Sequence, residues 1–133
     1  MTVSQIDEVT QGASGQFDYS INSKDNFICW YITLKGLRGD YQSAALTATH
    51  IHQGQEGKAG PPRIVFPNPI PTGKDDTRVS LGCPQGPFKT GVTIDGQDTG
   101  AGFTVAQIEA NPSAFFTDVH SSLAVPGAVR GQL

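Results

Sequence analysis

Residues 27–34 read Phe-Ile-Cys-Trp-Tyr-Ile-Thr-Leu, and this stretch decides the fold because it carries the strongest strand signal in the chain. It consists mostly of aromatic and β-branched residues, which favour β-strands. Alternate residues of a strand point to the same face. One face therefore carries only large apolar side chains, which we assign to the hydrophobic core: Ile28, Trp30, Ile32 and Leu34.

Further short strands are predicted on both sides of this stretch, separated by turn residues. Their predicted ranges are 16–22, 44–52, 63–66, 78–83, around 92–94, 115–120 and 128–133, with a loop over 70–76. One short helix is predicted near residues 104–111, because Thr104 and Gln107 have the capping-box spacing and Pro112 disfavours helix at the residue before it. This pattern indicates an all-β fold, either an antiparallel β-sandwich or a Greek-key barrel.

The composition limits the class of protein and its partners. A chain of 133 residues can bury one core, so we expect a single domain over residues 1–133. The net charge is −3 and the nine Lys and Arg residues are scattered, which argues against nucleic acid or a membrane as a partner. The Gly-rich stretch 54–60 lacks the Lys-Ser/Thr of a phosphate-binding loop, so no nucleotide cofactor is expected.

The two cysteines, Cys29 and Cys83, admit either one disulfide or two buried free thiols. We favour the disulfide, because small loop-rich β-domains are commonly secreted into oxidising surroundings. The two cysteines are 54 residues apart, and in the chain-entropy model a disulfide that closes a loop of this length stabilises the fold by about 4 kcal/mol. We therefore expect a secreted, extracellular protein. Residues 1–4 do not open a signal peptide, so a cytoplasmic location stays open.

The three histidines of the chain suggest its chemistry. His50 and His52 project to one face of the predicted strand, with Ile51 on the other, and His120 lies in a later strand. If that strand is a neighbour, three imidazoles converge. We predict a metal site formed by His50, His52 and His120, with copper ahead of zinc. The alternative is three histidines that hold loops in place by hydrogen bonds.

Three charged residues are further candidates for ligand binding. Asp118 shares a face with His120 in the predicted strand and is expected to orient a histidine as a hydrogen-bond acceptor. Arg130 is a candidate for binding a carboxylate or another anionic group. Arg63 lies beside the Gly-rich loop, where it can line the mouth of a pocket. For Arg130 we favour the alternative of a structural pair with Asp118 on the sheet surface.

Several motifs together resemble the CHRD (chordin) domain family. They are His50-Ile51-His52 with its Gly-rich loop, Phe103 to Ile108, Val119-His120, and the closing Val129 to Leu133. The resemblance covers most of the chain from about Phe27, and the forms at 48–52, 60–62 and 86–88 look most like secreted fungal members. It implies a mostly antiparallel β-sandwich and little about chemistry. The family often has Gly-Glu-Ile-Arg-Gly near its end, whereas residues 127–131 lack the acid.

A weaker resemblance is to copper/zinc superoxide dismutase. That family is also an antiparallel β fold, with a His-x-His copper motif and a histidine late in the chain. His50, His52 and His120 fit these positions in order. No histidine lies between the last two, so a bridging ligand and a complete zinc subsite are missing. This resemblance implies a superoxide-dismutase-like fold with at most a mononuclear site, copper-only or otherwise.

Three functions follow as hypotheses. The first is a small extracellular β-domain that binds copper or zinc, with redox or Lewis-acid chemistry at an open position. The second is a non-catalytic module that binds a protein or glycan. The third is a metal-free enzyme acting on a small secondary metabolite. The catalytic candidates are His50, His52, His120 and Arg130. Substitution of Arg130 by Ala is expected to weaken ligand binding more than it lowers stability.

Overall fold

The computed structural model describes residues 2–3 and 13–133, which are mainly β-strands. The strands are β1 (Thr2–Val3), β2 (Ser14–Asn22), β3 (Phe27–Lys35), β4 (Thr49–Gln53), β5 (Pro62–Phe66), β6 (Ile70–Pro71), β7 (Thr77–Gly82), β8 (Thr93–Ile94), β9 (Gln97–Asp98), β10 (Phe115–Ser121) and β11 (Ala124–Gln132). The helices are α1 (Val105–Ala110) and a 3₁₀ turn over Pro112–Ala114.

The strands form two large antiparallel sheets. One has five strands in the order β1-β2-β3-β7-β6, the other has four in the order β11-β10-β4-β5, and β8 and β9 form a separate hairpin. The predicted antiparallel β-sandwich is confirmed. The alternative prediction, a Greek-key barrel, is not confirmed, because the two large sheets remain separate within the described residues. None of the described helices has the length and apolar character needed to cross a membrane.

The hydrophobic core lies between the two sheets. Phe66 of β5 joins them, because its ring contacts Tyr19 of β2 at 5.7 Å and Trp30 of β3 at 5.1 Å between ring centroids. The predicted core face of β3 is buried, with Ile32 and Leu34 fully enclosed. Burying each such side chain stabilises the fold by roughly 1.5–3 kcal/mol before the loss of conformational entropy.

The strand predicted over 44–52 is correct only from Thr49, because the residues before it form bends. Their backbone groups bond to loops instead of to a strand. The N–H of Leu46 donates to the carbonyl of Thr90, and the N–H of Ala48 donates to the side-chain oxygen of Asn68. The side chain of Leu46 consequently points to solvent.

Two smaller predictions are also corrected. The segment 70–76, predicted as a loop, begins with strand β6, which pairs with β7. The helix begins where predicted, but the side chain of Thr104 does not cap it. The N–H of Val105 donates instead to Oδ1 of Asn26, 3.0 Å away. A residue from a distant turn therefore accepts a free N–H group at the start of the helix, although not the N–H of Gln107 that the capping-box pattern assigns to Thr104.

The disulfide prediction is confirmed, since Cys29 of β3 is bonded to Cys83 directly after β7. The two strands are neighbours, with Trp30 opposite Gly82. Because Trp30 faces the core, Cys29 faces the outer surface of its sheet, and Cys83 is exposed. The disulfide thus ties two adjacent strands together on their solvent side.

Replacing both Cys29 and Cys83 by Ser is expected to destabilise the fold by about 4 kcal/mol, because the unfolded chain loses the closure of a 54-residue loop. Thermal or denaturant unfolding of the variant and the wild type measures the effect. Native protein treated with an alkylating agent in the absence of reductant should gain no mass. Two alkylated thiols under those conditions would contradict the bonded pair.

Asp98 organises the long segment between β7 and α1. Its carboxylate accepts hydrogen bonds from the backbone N–H groups of Thr90, Gly91 and Gly100 at 2.8–2.9 Å. The bond from Thr90 is the largest contribution to lowering the pKa of Asp98 to about 2, and burial opposes it only partly. One ionised side chain therefore holds both ends of the β8–β9 hairpin.

Replacing Asp98 by Asn is expected to lower Tm by several degrees at neutral pH, because an amide accepts fewer N–H bonds than a carboxylate. The depressed pKa sets the sign of the pH dependence. Ionised Asp98 stabilises the fold above its unfolded-state pKa of about 4, and this contribution is lost as the pH falls toward 2. Unfolding curves of wild type and variant should therefore converge in acid, and a pH-independent difference would argue against this role.

Candidate metal centre

Strands β4 and β10 lie side by side and bring the histidines together. In their register His50 is opposite Asp118 and His52 is opposite Phe116. Residues directly opposite each other in an antiparallel pair point to the same face. Alternation along β10 then places His120 on that face as well. The predicted condition for convergence, a neighbouring strand for His120, is met.

Four polar side chains converge on one small volume. One possible ligand atom from each of His50, His52, Asp118 and His120 lies within 4.8 Å of the others. Nδ1 of His50 is 3.2 Å from Nε2 of His52, and Oδ1 of Asp118 is 3.5 Å and 2.9 Å from these two atoms. Nε2 of His120 lies 3.0 Å from the other carboxylate oxygen, Oδ2. Asp118, predicted to orient one histidine, thus contacts all three.

Backbone carbonyls determine the tautomers of two histidines. Nε2 of His50 lies 2.5 Å from the carbonyl oxygen of Thr47, and Nδ1 of His52 lies 2.8 Å from that of Gly60. A carbonyl oxygen can only accept, so we assign a proton to each of these nitrogens. In a neutral imidazole the other ring nitrogen then carries a lone pair. For both histidines this is the nitrogen that points into the cluster.

The centre of the cluster therefore contains three acceptors and no assigned donor. They are Nδ1 of His50, Nε2 of His52 and Oδ1 of Asp118. Although Oδ1 is within ion-pair distance of His52, it is buried and makes no hydrogen bond of acceptable geometry to any described residue. Leaving a buried acceptor unpaired costs roughly 1–3 kcal/mol, and more for a charged group. A shared proton or a metal ion among these three atoms would remove the conflict.

The electrostatics of the cluster keep Asp118 ionised. Burial of the carboxyl group tends to raise its pKa, since the residue is only 3% exposed. The hydrogen bond to His120 is the largest of the contacts that oppose burial, and the pKa of Asp118 lies well below its usual range. The side chain of His120 is 14% exposed, against 2% for His50. The cluster is thus a buried anionic group that is most accessible at His120.

The loop between β4 and β5 carries the Gly60 carbonyl to His52. The register of these strands shifts at His52, which lies opposite Pro62. A Cβ added to Gly60 would lie only 1.7 Å from the carbonyl oxygen of Gln53, so no other residue fits without moving the backbone. Position 60 therefore requires glycine because the backbone there passes very close to that of Gln53.

Arg130 stacks on Phe116, a residue that no sequence motif singles out. Its Cζ lies 3.5 Å from the ring centroid of Phe116, and the same ring stacks on that of His52 with 4.9 Å between centroids. Arg130 also donates a hydrogen bond to the carbonyl of Gln55 at 3.1 Å. Although Arg130 is opposite Asp118 in the β10–β11 register, its guanidinium group lies over the neighbouring aromatic ring.

Arg63 connects the β4–β5 hairpin to the segment that follows β9. Its Nε donates to the side-chain oxygen of Gln53 at 3.0 Å, and its Nη1 donates to the carbonyl of Thr99 at 2.7 Å. Both partners are protein groups. A role of Arg63 in ligand binding stays a prediction, as do the catalytic roles of the three histidines and Arg130.

Comparison with known proteins agrees with the motifs of the sequence. A family model described as CHRD domain matches residues 1–133, the whole chain. Searches among curated proteins and among solved structures gave no significant match.

Replacing Asp118 by Asn is expected to leave the metal-free fold at least as stable as the wild type at pH 8. The amide oxygen can accept from His120 while the amide nitrogen donates to an inner nitrogen of His50 or His52, which removes the acceptor conflict. Thermal unfolding in the presence of a chelator measures this. Replacing Asp118 by Ala is the control, because it leaves a cavity without supplying a donor. Equal losses of Tm in both variants would contradict the assigned tautomers.

Proposed function

Since the chain belongs to the CHRD domain family, we propose that it is a CHRD β-domain that binds one transition-metal ion through His50, His52, Asp118 and His120. One observation carries the proposal. The inner nitrogens of His50 and His52, to which the assigned tautomers give lone pairs, face a buried carboxylate oxygen that has no hydrogen-bond partner in the described part of the chain. Imidazole and carboxylate are common ligands of transition metals. A metal ion satisfies all these acceptors at once.

The outer hydrogen bonds of the histidines support metal binding. Metal-ligating histidines almost always donate their other ring N–H to a carbonyl, a carboxylate or water, which fixes the tautomer and the ring orientation. His50 does so toward Thr47, and His52 does so toward Gly60. Both inner nitrogens are thereby aimed at the same point before an ion binds.

The distances favour tetrahedral coordination and therefore zinc ahead of copper(II). With bonds of about 2.0–2.1 Å, a tetrahedral ion separates its donor atoms by about 3.3 Å, whereas a square-planar ion needs neighbouring donors at about 2.9 Å and opposite donors at about 4 Å. The three inner atoms are separated by 2.9, 3.2 and 3.5 Å. We therefore propose zinc as the first candidate for the bound ion. Copper, which the histidine pattern alone favours, is the second candidate.

The set of ligands indicates what the site could do. Three histidines and one carboxylate give a tetrahedral ion four protein ligands, the pattern of a structural site. His120 is the most accessible of them and contacts the outer carboxylate oxygen. Lewis-acid chemistry would require this residue to give up its position to water or a substrate. Our proposal is thus a structural site with one exchangeable ligand.

An extracellular location is part of the proposal and is supported by the disulfide, since such bonds persist in oxidising compartments. The competing function is a metal-free enzyme, in which one proton shared by the inner atoms makes the cluster an acid–base group. The same convergence of acceptors favours it, so the metal content of the protein separates the two. If the protein neither binds a metal ion nor catalyses a reaction, the remaining candidate function is a module that binds a protein or a glycan.

Purified protein is expected to contain zinc or copper, and chelator-treated protein to bind one equivalent of added Zn²⁺. Replacing His50 by Ala should weaken zinc binding by more than about 100-fold, beyond the 10–100-fold effect of residues that merely orient a ligand. Elemental analysis gives the metal content and calorimetric titration gives the affinity. Added zinc should raise Tm, because it binds the folded state.

Replacing Glu56 by Gln is the matched control for charge, since Glu56 is an exposed carboxylate in the loop after the histidines. This variant should bind zinc as the wild type does. Replacing His120 by Ala should retain part of the affinity, because the three inner acceptors remain. Wild-type protein that contains no metal, binds none and shows no change of Tm with zinc or copper would rule out the metal proposal.

A further inference from the structure

We propose that Arg130 and Phe116 are positioning residues of this centre, which hold the ring of His52 and the loop beside it in place and so slow the release of the ion. The inference rests on the proposed metal-binding function. Neither residue supplies a ligand, because phenylalanine has no donor atom and a guanidinium group has no free lone pair to offer. Both would act through His52.

A stack of planar groups supports this role. Phe116 is opposite His52 in the β4–β10 pair, and the planes of their rings are only 1° from parallel. The guanidinium group of Arg130 lies on the ring of Phe116. Stacked rings and cation–π contacts are both attractive and depend on orientation. The plane of His52 is therefore held by packing as well as by its hydrogen bond.

The same two residues hold the loop over residues 54–60. Arg130 donates to the carbonyl of Gln55 near the start of the loop. A Cβ added to Gly54 would lie 2.9 Å from a ring carbon of Phe116, so the loop backbone packs directly on this ring. The start of the loop is therefore attached to the stack.

The end of the loop is attached to the metal ligand itself. Gly60 accepts the outer proton of His52 through its carbonyl oxygen. Gly54 also bonds to Ala114 and Gln132, so loss of Arg130 or Phe116 loosens the loop without detaching it. The carbonyl of Gly60 and the ring of His52 are then held less firmly, and the ion is expected to leave faster.

Charge and position predict opposite effects for Arg130, which makes the role testable. A cation near a bound metal ion repels it, so loss of charge alone should strengthen binding. Salt and solvent weaken this repulsion, because Arg130 is only half-buried. Loss of positioning should weaken binding, as it does for other outer partners of metal ligands.

The test loads wild type and variants with Co²⁺ or Zn²⁺ and follows release of the ion to excess chelator by stopped flow. Arg130→Gln removes the charge, Arg130→Lys keeps the charge without the planar group, and Phe116→Leu removes the ring. All three are expected to bind one ion and to release it about tenfold faster or more. Near-UV circular dichroism and Tm show that each variant is folded. The two Arg130 variants carry the test if Phe116→Leu does not fold.

Arg78→Gln is the matched control, because Arg78 also lies over an aromatic ring, with its Cζ 5.4 Å from the centroid of Tyr41. It belongs to the other sheet and should release the ion at the wild-type rate. Slower release from Arg130→Gln alone would mean that only charge matters and would overturn the proposal. Wild-type rates in all three variants would overturn it while leaving the metal site intact. A wild type that binds no ion would remove the metal function and this inference together.

Discussion

The pairing of β4 with β10 is the constraint on which the metal centre depends. Five consecutive residue pairs define its register, from Phe115 with Gln53 to Val119 with Thr49. A slip of one residue would turn every side chain of one strand to the other face. The core prevents this slip, because Ile51 and Val119 on the opposite face are fully buried between the sheets. The apolar side of the strands thus determines the geometry of their polar side.

Those parts of the structure that follow from strand alternation could be predicted from the sequence. The buried face of β3 and the shared face of His50 and His52 depend only on the period of an extended backbone. The convergence of His120 needed one further condition, the order of strands in the sheet. Alternation carries no information about that order, because any two strands with an apolar face can become neighbours. From the sequence, the convergence of His120 with the other two histidines could therefore be predicted only on the condition that its strand is a neighbour of β4.

The features that were not predicted depend on partners distant in the sequence. Asn26 caps a helix 79 residues later, and Phe116 is identified as part of the centre only by its stacking on His52. The central place of Asp118 follows from the β4–β10 register, which no local pattern contains. Local propensity also misjudged the bends before Thr49, since backbone hydrogen bonds to loops there replace those of a strand.

A cluster such as this one is a poor device for stabilising a fold. Buried charges lose their hydration, and paired ones are often no better than well-packed apolar side chains. Here Oδ1 of Asp118 faces the inner nitrogens of His50 and His52 and makes no hydrogen bond to the described residues, so its loss of hydration is not compensated. In the metal-free state that cost has to be offset elsewhere, by the core around Phe66, the Cys29–Cys83 bond and the hydrogen bonds of Asp98. The cluster lowers the stability of the metal-free fold, so fold stability does not explain its presence. Binding of a cation by the cluster explains it better.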